Sequence, residues 1–227
     1  MILLAFGDSL TAGMTNGSKD YPPAGFISKL LGEKYIVMQQ GIGGDLLEDM
    51  PRRLEGTLKE QAAKHRGKVD MCIFWGGTND IRCGRSANDA FKFFQSAIET
   101  CKINECKVVV LTVPEMSFET AGSGSIGANR RAFNDLVIAN AEEEGYTLVD
   151  VASAIPYLSL SEEDQKKWYC DGLHFTRNGY SKVATMVVEV IKARRKKKRT
   201  AVGEVAEATE VKEKIETATS IIETTMT

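Results

Sequence analysis

Histidine is scarce in this 227-residue chain, which contains only His65 and His174. The five cysteines are odd in number and do not follow the spacing of a disulfide framework. Neither histidine lies near a pair of cysteines, so the close Cys and His spacing of a zinc site is missing. We therefore predict no metal and no cofactor, and cysteines that stay reduced, as is typical of an intracellular protein.

Long hydrophobic runs are also missing. No apolar stretch approaches the ~18 residues that a membrane span requires. The N-terminal "MILLAF" contains no basic residue and runs directly into the first polar motif, unlike a secretion signal. These features predict a cytoplasmic protein without a membrane span, with nuclear import as an alternative because of a basic run at residues 192–199.

Outside that basic run, basic residues are fewer than acidic ones. Residues 192–199 hold seven of the 29 Lys and Arg, and residues 1–191 hold 20 basic and 25 acidic residues. A mildly acidic body gives no support for nucleic-acid binding, so we expect no nucleic-acid partner. The basic run is either an import or anion-binding patch or the solvated end of a helix, and residues 200–227 are either a marginal helix or disordered. We predict one domain at 1–193 and a charged tail at 194–227.

Short apolar runs alternate with longer helical patterns along the rest of the chain. The predicted strands are nearly continuous in apolar character, which indicates burial on both faces, and they lie at 2–6, 35–39, 69–75, 107–113 and 146–150. The predicted helices lie near 24–32, 46–65, 87–102, 126–144 and 177–195. Such alternation predicts a doubly wound α/β fold with a parallel sheet between two layers of helices.

Glycine-rich polar segments follow the first three predicted strands. They read "GDSLTAG", "QGIGGD" and "GGTND". Because the carboxyl ends of parallel strands meet at one edge of the sheet, we expect these segments to form one site there.

Ser9 in the first of these segments is either a nucleophile or the cap of the following helix, since Ser is a common N-cap. A nucleophilic serine needs a base. His65 lies in a charged helix end, "AAKHRGK", which is typical of a solvated histidine, whereas His174 follows Asp171 by three residues in "CDGLHFT". In a tight turn, Asp171 can bind Nδ1 of His174 and leave Nε2 to face a hydroxyl.

Acyl transfer also requires hydrogen-bond donors where negative charge develops on the carbonyl oxygen. Gly44 can present a backbone N–H at close range, and Asn79 can present its side-chain amide. The alternatives are a phosphate-binding loop for "GIGG" and a simple turn for "GTND". A dinucleotide fingerprint would need glycine at position 46, where Leu46 stands, and no G-K-S/T sequence follows.

Taken together, these blocks resemble the SGNH hydrolases, also called the GDSL esterase/lipase family. "FGDSLTAG" supplies Ser9, "GIGGD" supplies Gly44, "GGTND" supplies Asn79, and "DGLH" supplies Asp171 and His174. The resemblance covers about residues 2–191, and the four blocks in this order are specific to the family. The sequence lacks the G-x-S-x-G elbow of the α/β-hydrolase fold.

The resemblance implies a flavodoxin-like α/β/α sandwich with a five-stranded parallel sheet in the order 2-1-3-4-5. It also implies a triad of Ser9, His174 and Asp171, and an oxyanion hole formed by the N–H groups of Ser9 and Gly44 and the side chain of Asn79. The expected activity is hydrolysis of small carboxylic esters with short to medium acyl chains through an acyl-enzyme. An acyltransferase with the same acyl-enzyme and a catalytically silent binding protein are the alternatives.

Two further segments are candidates for the rims of the site. The segment 114–125, "PEMSFETAGSGS", is either a substrate wall or simply a mobile loop, and "TNGSKDYPPAGF" at 15–26 is a candidate for the other rim.

Overall fold

The structure is a computed structural model that describes residues 1–119 and 126–196. Its contacts divide the chain into two units, residues 1–188 and 189–227. The described part of the second unit, 189–196, is helical. The last three residues of the basic run, 197–199, and all of the segment 200–227 lie outside the described residues, so the tail from residue 194 and the domain boundary at 193 stay predictions.

The first unit is built on a five-stranded sheet with the strand order β2-β1-β3-β4-β5. All four neighbouring pairs are parallel. This confirms the predicted α/β/α fold and its strand order. The strands are β1 (Ile2–Gly7), β2 (Ile36–Gly41), β3 (Met71–Trp75), β4 (Lys107–Leu111) and β5 (Thr147–Val149).

Helices connect the strands and cover both faces of the sheet. In chain order they are α1 (Ser9–Ala12), α2 (Pro23–Leu31), α3 (Met50–His65), α4 (Thr78–Arg82), α5 (Ala87–Ile103), α6 (Ile126–Ala139), α7 (Ala141–Glu144), α8 (Val151–Ala154) and α9 (Glu162–Trp168). A further helix begins at residue 177. Among the described helices, none is both long enough and apolar enough to cross a membrane.

The hydrophobic core lies between the central strands and helices α3, α5 and α6. Residues of β1, β3 and β4 are almost completely buried, as expected for strands covered on both faces. Phe94 of α5 is in edge-to-face contact with Phe74, Phe133 and Tyr146. This aromatic cluster joins the sheet to one helical layer.

Strand β2 differs from the prediction of burial on both faces. It is at the edge of the sheet and pairs only with β1. Its residues are mostly only partly buried, and Ile36 is 46% exposed. An apolar run in the sequence does not distinguish an edge strand from a central one.

Two helix boundaries also differ from the predicted ones. Helix α3 begins at Met50 rather than near 46, with Pro51 in its first turn, where a missing N–H has no cost. The Leu47 N–H before it donates to the Asp80 carboxylate instead. The predicted helix 126–144 is interrupted at Asn140, whose side chain donates to the carbonyl of Leu136.

Candidate active site

Ser9 is the first residue of α1, directly after the carboxyl end of β1. The side chain that caps this helix belongs to Asp8, whose carboxylate accepts a hydrogen bond from the Leu10 N–H at 2.9 Å. Ser9 is 5% exposed. Its hydroxyl is therefore free of the capping role that the sequence allowed for it.

Asp171 and His174 lie in a tight loop that is closed at its base. Tyr169 and Phe175 form an antiparallel bridge, and the Cys170 N–H donates to the carbonyl of His174 at 2.9 Å. Inside the loop, Oδ1 of Asp171 accepts the backbone N–H groups of Leu173, at 3.0 Å, and His174, at 2.7 Å. One carboxylate oxygen thus holds the loop, and the other is available to the imidazole ring.

The three side chains Asp171, His174 and Ser9 form a continuous hydrogen-bonded chain. Oδ2 of Asp171 lies 2.7 Å from Nδ1 of His174, and Nε2 of His174 lies 2.9 Å from Oγ of Ser9. Partial burial raises the pKa of Asp171, but hydrogen bonds from the His174 ring and the two loop N–H groups outweigh it. The pKa therefore lies below its ordinary value, and the carboxylate is charged at neutral pH.

Aromatic contacts anchor the histidine loop to the sheet. The ring of Phe175, next to His174, stacks on Trp75 at 5.9 Å and lies 4.6 Å from the ring of Tyr169. Its carbonyl accepts a hydrogen bond from the hydroxyl of Thr15 at 3.2 Å. The loop is thereby fixed against the end of β3 and against the segment that follows α1.

Gly44 lies on the exposed loop after β2 with a positive φ of 80°, a conformation that favours glycine. Within the described residues, its N–H donates no hydrogen bond, and neither does the N–H of Ser9. The loop lies close to α1 because Gly41 has no side chain. A Cβ there would come within 2.3 Å of the Ala12 nitrogen.

Asn79 lies in the first turn of α4, a short helix where the sequence suggested a loop. It is 5% exposed, and its Nδ2 donates to the carbonyl of Asp45 at 3.0 Å. A side-chain amide carries two N–H groups, so one remains for another acceptor. Asp45 directly follows Gly44, so this hydrogen bond links the two predicted donor loops.

His65 is the last residue of α3. Within the described part of the chain it forms no hydrogen bond with Ser9 or Asp171. It lies apart from the loop that holds His174, in agreement with its sequence context.

Two charged groups beside Ser9 were not identified from the sequence. Asp8 is completely buried, and burial is the main reason that its pKa rises to about 7. The hydrogen bond from the Leu10 N–H opposes this rise, and the carboxylates of Asp45 and Asp80 add to it. Arg53 of α3 pairs with Asp45 at 2.5 Å. In the sequence, Asp8 could have been recognised only from its place directly before Ser9 in the "GDS" motif. No motif in the sequence marks Arg53 as a residue of the site.

The described part of the segment after β4 borders the histidine loop. The Ser117 N–H donates to the carbonyl of Gly172 at 2.8 Å, and Phe118 is 40% exposed. The rest of this segment, residues 120–125, lies outside the described residues. Part of the other candidate rim, residues 20–22, lines an open groove of about 200 Å³ together with residues of α2 and Arg177.

The described residues contain no group of three or more His, Cys, Asp or Glu side chains that could hold a metal ion. The chemistry that these residues can support is a proton transfer from the Ser9 hydroxyl to His174, with Asp171 holding the ring.

The comparisons with known proteins give the fold and the family of this chain. No curated protein matches this sequence. Among solved structures, the fold is similar to an aryl esterase from M. smegmatis, with a TM-score of 0.66 and 18% identity over 85% of this chain and 98% of that one. It is also similar to a carbohydrate acetylesterase family member from Sinorhizobium meliloti, with a TM-score of 0.67 and 18% identity over 85% and 97% of the two chains.

A lipase/acylhydrolase from Enterococcus faecalis is similar as well, with a TM-score of 0.68 and 20% identity over 85% of this chain and 96% of that one. At such identities these structures show the shared fold. The sequence itself matches the model of a protein family over residues 5–182, a range that includes every predicted site residue. This protein belongs to the GDSL-like lipase/acylhydrolase family, whose members are ester-hydrolysing enzymes.

Proposed function

We propose that this enzyme is a serine esterase that hydrolyses carboxylic esters of small molecules through an acyl-enzyme on Ser9. The observation that carries the proposal is the continuous chain from Asp171 through His174 to Ser9, with contacts of 2.7 and 2.9 Å. Both distances are those of hydrogen bonds within reach of proton transfer.

Acylation begins with Nε2 of His174 as the proton acceptor. Because the carboxylate of Asp171 accepts a hydrogen bond from Nδ1–H, the ring presents an unprotonated Nε2 to the hydroxyl. Oγ of Ser9 bonds to the acyl carbon while its proton moves to His174. The ester C–O bond then breaks, the acyl group remains on Ser9, and His174 returns the proton to the departing alcohol.

Deacylation repeats these steps with water. His174 takes a proton from the water, whose oxygen bonds to the acyl carbon. The bond to Oγ of Ser9 then breaks, and His174 returns the proton to Ser9. The products are a carboxylic acid and the free enzyme, with no electron transfer.

The negative oxygen of each tetrahedral intermediate needs donors that are already in place. We assign this role to the N–H groups of Ser9 and Gly44 and to the remaining amide hydrogen of Asn79. Within the described residues, both backbone groups are free of other hydrogen bonds, which supports this assignment.

Short to medium acyl chains are the expected substrates. Beside the histidine loop, Phe118 and Leu158 are 40% and 47% exposed. The Leu158 N–H donates to Glu115, which lies on the same segment as Ser117. These apolar side chains offer an open surface rather than a deep tunnel for the acyl chain.

The proposal is tested by hydrolysis of p-nitrophenyl acetate and butyrate by the wild type, Ser9→Ala and Ser96→Ala. Ser96 lies on the exposed side of α5 and donates only to the carbonyl of Lys92, which makes it a matched control. We expect Ser9→Ala to lose activity and Ser96→Ala to keep it. A fluorophosphonate should label Ser9 in the wild type, as read by mass spectrometry of the peptide.

Activity that survives in Ser9→Ala would refute the assignment of Ser9 as the nucleophile. Labelling at a different residue would refute it too. An inactive wild type that binds esters without turnover would favour the silent binding protein. A series of p-nitrophenyl esters from two to twelve carbons, measured with and without added alcohol, then gives the chain-length preference and separates hydrolysis from acyl transfer.

A further inference from the structure

We infer that Arg53 is a positioning residue that holds the two predicted donor loops in place for the transition state. This inference rests on the proposed function, because it assigns a role to Arg53 only if Gly44 and Asn79 stabilise a tetrahedral intermediate. It starts from a charged side chain on a helix that faces the sheet instead of solvent.

The guanidinium of Arg53 contacts three separate segments. Its Nη1 donates to the carbonyl of Gln40 at 2.9 Å, and its Nη2 donates to the carbonyl of Gly7 at 3.0 Å. Its Nε and Nη2 both contact Oδ2 of Asp45, at 2.9 and 2.5 Å. The group also lies over the ring of Phe6, 3.7 Å from its centre.

Each of these contacts lies next to a site residue. Gly7 ends β1, two residues before Ser9, and Gln40 lies near the end of β2, where the loop with Gly44 begins. Asp45 follows Gly44 directly, and its carbonyl accepts the Asn79 amide. Through Asp45, one cation thus fixes the backbone of one donor and the side-chain orientation of the other.

The low exposure of this pair makes its geometry effective. The side chains of Arg53 and Asp45 are only 20% and 11% exposed, so solvent screens their attraction less than on an open surface. Three donor directions in one plane are a property of guanidinium that an ammonium group does not reproduce. Substrate binding in the ground state requires none of these contacts, so their loss should lower kcat rather than raise KM.

The experiment compares Arg53→Gln and Arg53→Lys with Arg52→Gln. Arg52 is the neighbouring residue of the same type and helix, its side chain is 89% exposed, and its ion pair with Asp49 measures 3.8 Å. Active sites are counted with a fluorophosphonate, so that kcat refers to folded enzyme only. A boronic acid, which mimics the tetrahedral intermediate, supplies a binding constant for each variant.

We expect Arg53→Gln to lower the normalised kcat about 10- to 100-fold, the size of effect that a misplacement of about 1 Å produces, with KM within about twofold of the wild type. The boronic acid should bind more weakly by a similar factor. Arg53→Lys, which keeps the charge but not the planar fork, should fall between Arg53→Gln and the wild type. In an enzyme that already carries Asn79→Ala, Arg53→Gln should lower kcat by a smaller factor than it does in the wild type, because both substitutions act on the same donor.

The inference is overturned if Arg53→Gln matches Arg52→Gln in normalised kcat, or if it raises KM and leaves kcat and boronate binding unchanged. If Arg53→Gln does not fold, Arg53→Lys decides in the same way, because equality with Arg52→Gln overturns the inference. An inactive wild type, or an active Ser9→Ala, defeats the proposed function instead. If Ser9→Ala abolishes activity but Arg53→Gln leaves it unchanged, only the role of Arg53 is overturned.

Discussion

Glu119 and Arg130 form an ion pair that is almost completely removed from solvent, with the two side chains 2% and 4% exposed. Both carboxylate oxygens of Glu119 accept from Nε of Arg130, at 2.7 and 2.9 Å, and one of them also accepts the Met116 N–H. The pair joins the segment after β4 to α6. Because Ser117 in this segment is hydrogen-bonded to Gly172, the pair also supports the loop that carries His174.

Removing one member of this pair should strongly destabilise the fold. Glu119→Gln removes the nearer charge, so among the described residues the buried Arg130 keeps the longer 3.4 Å ion pair with Glu115 alone, and we expect a loss of about 3 kcal/mol in the free energy of unfolding. The exposed pair of Glu55 and Lys59 is the control, and Glu55→Gln should change stability by less than about 0.5 kcal/mol. Urea denaturation measures both. Equal losses in the two variants would show that burial does not matter here.

Asn79→Ala should lower kcat by about 10²–10³ with little change in KM, because one oxyanion donor is lost. Asn104→Ala is the control. Asn104 carries the same side-chain amide, but it lies at the end of α5, where the amide donates to the carbonyl of Thr100. Steady-state kinetics on p-nitrophenyl butyrate distinguishes the two variants. An unchanged kcat in Asn79→Ala would remove Asn79 from the proposed oxyanion hole.

Asp8 should make the stability of the wild type depend on pH. Burial raises its folded-state pKa to about 7 from the ordinary aspartate value of 3.8, so the folded state holds a proton that the unfolded state has lost. The wild type therefore loses stability as pH rises between about 4 and 7. Asp8→Asn lacks this titration, and its stability relative to the wild type should increase by about 2–3 kcal/mol from pH 5 to pH 8.

Asp89→Asn is the control for this pH dependence. Hydrogen bonds from Lys92 and Ser86 lower the pKa of Asp89, so Asp89 stays charged at neutral pH and the difference in stability between Asp89→Asn and the wild type should stay constant from pH 5 to pH 8. Thermal denaturation at several pH values provides the measurement. A constant difference for Asp8→Asn as well would mean that Asp8 is charged throughout this range.

Truncation after Ala193 should leave turnover largely intact, because the family match ends at residue 182 and every predicted site residue precedes it. Full-length and truncated enzyme are compared by kcat per fluorophosphonate-labelled site. Loss of activity in a folded truncated enzyme would show that the tail takes part in catalysis.

The strands and the location of the site could be predicted from the sequence because each depends on local patterns. Apolar runs mark buried strands, and small polar residues after Gly mark the loops at their carboxyl ends. Strand β2 shows the limit. Its apolar run resembles the others and predicts burial on both faces, whereas its position at the edge of the sheet followed only from the strand order that the family resemblance implies.

Arg52 and Arg53 show a second limit. They are adjacent residues of the same type, yet their side chains are 89% and 20% exposed. Which of them faces the sheet depends on the rotation of α3, whose buried side chains pack against the core. The periodicity of α3 places Arg53 nearer than Arg52 to the buried face of Met50, Leu54 and Leu58, but the sequence does not show which backbone groups and which carboxylate Arg53 binds there.

The five cysteines have a practical consequence for observing this enzyme at work. All are free thiols, and Cys72, Cys101 and Cys106 are buried together, while Cys83 is exposed. The hydrogen bond with the Cys101 thiol and burial raise the pKa of Cys106, and burial raises the pKa of Cys170, so both are less readily deprotonated than an ordinary thiol. Cys83 ends α4, and its N–H is bonded to the carbonyl of Asn79 at 2.9 Å. A fluorophore attached to this natural thiol would report in real time on the turn that presents Asn79, without any engineered label site.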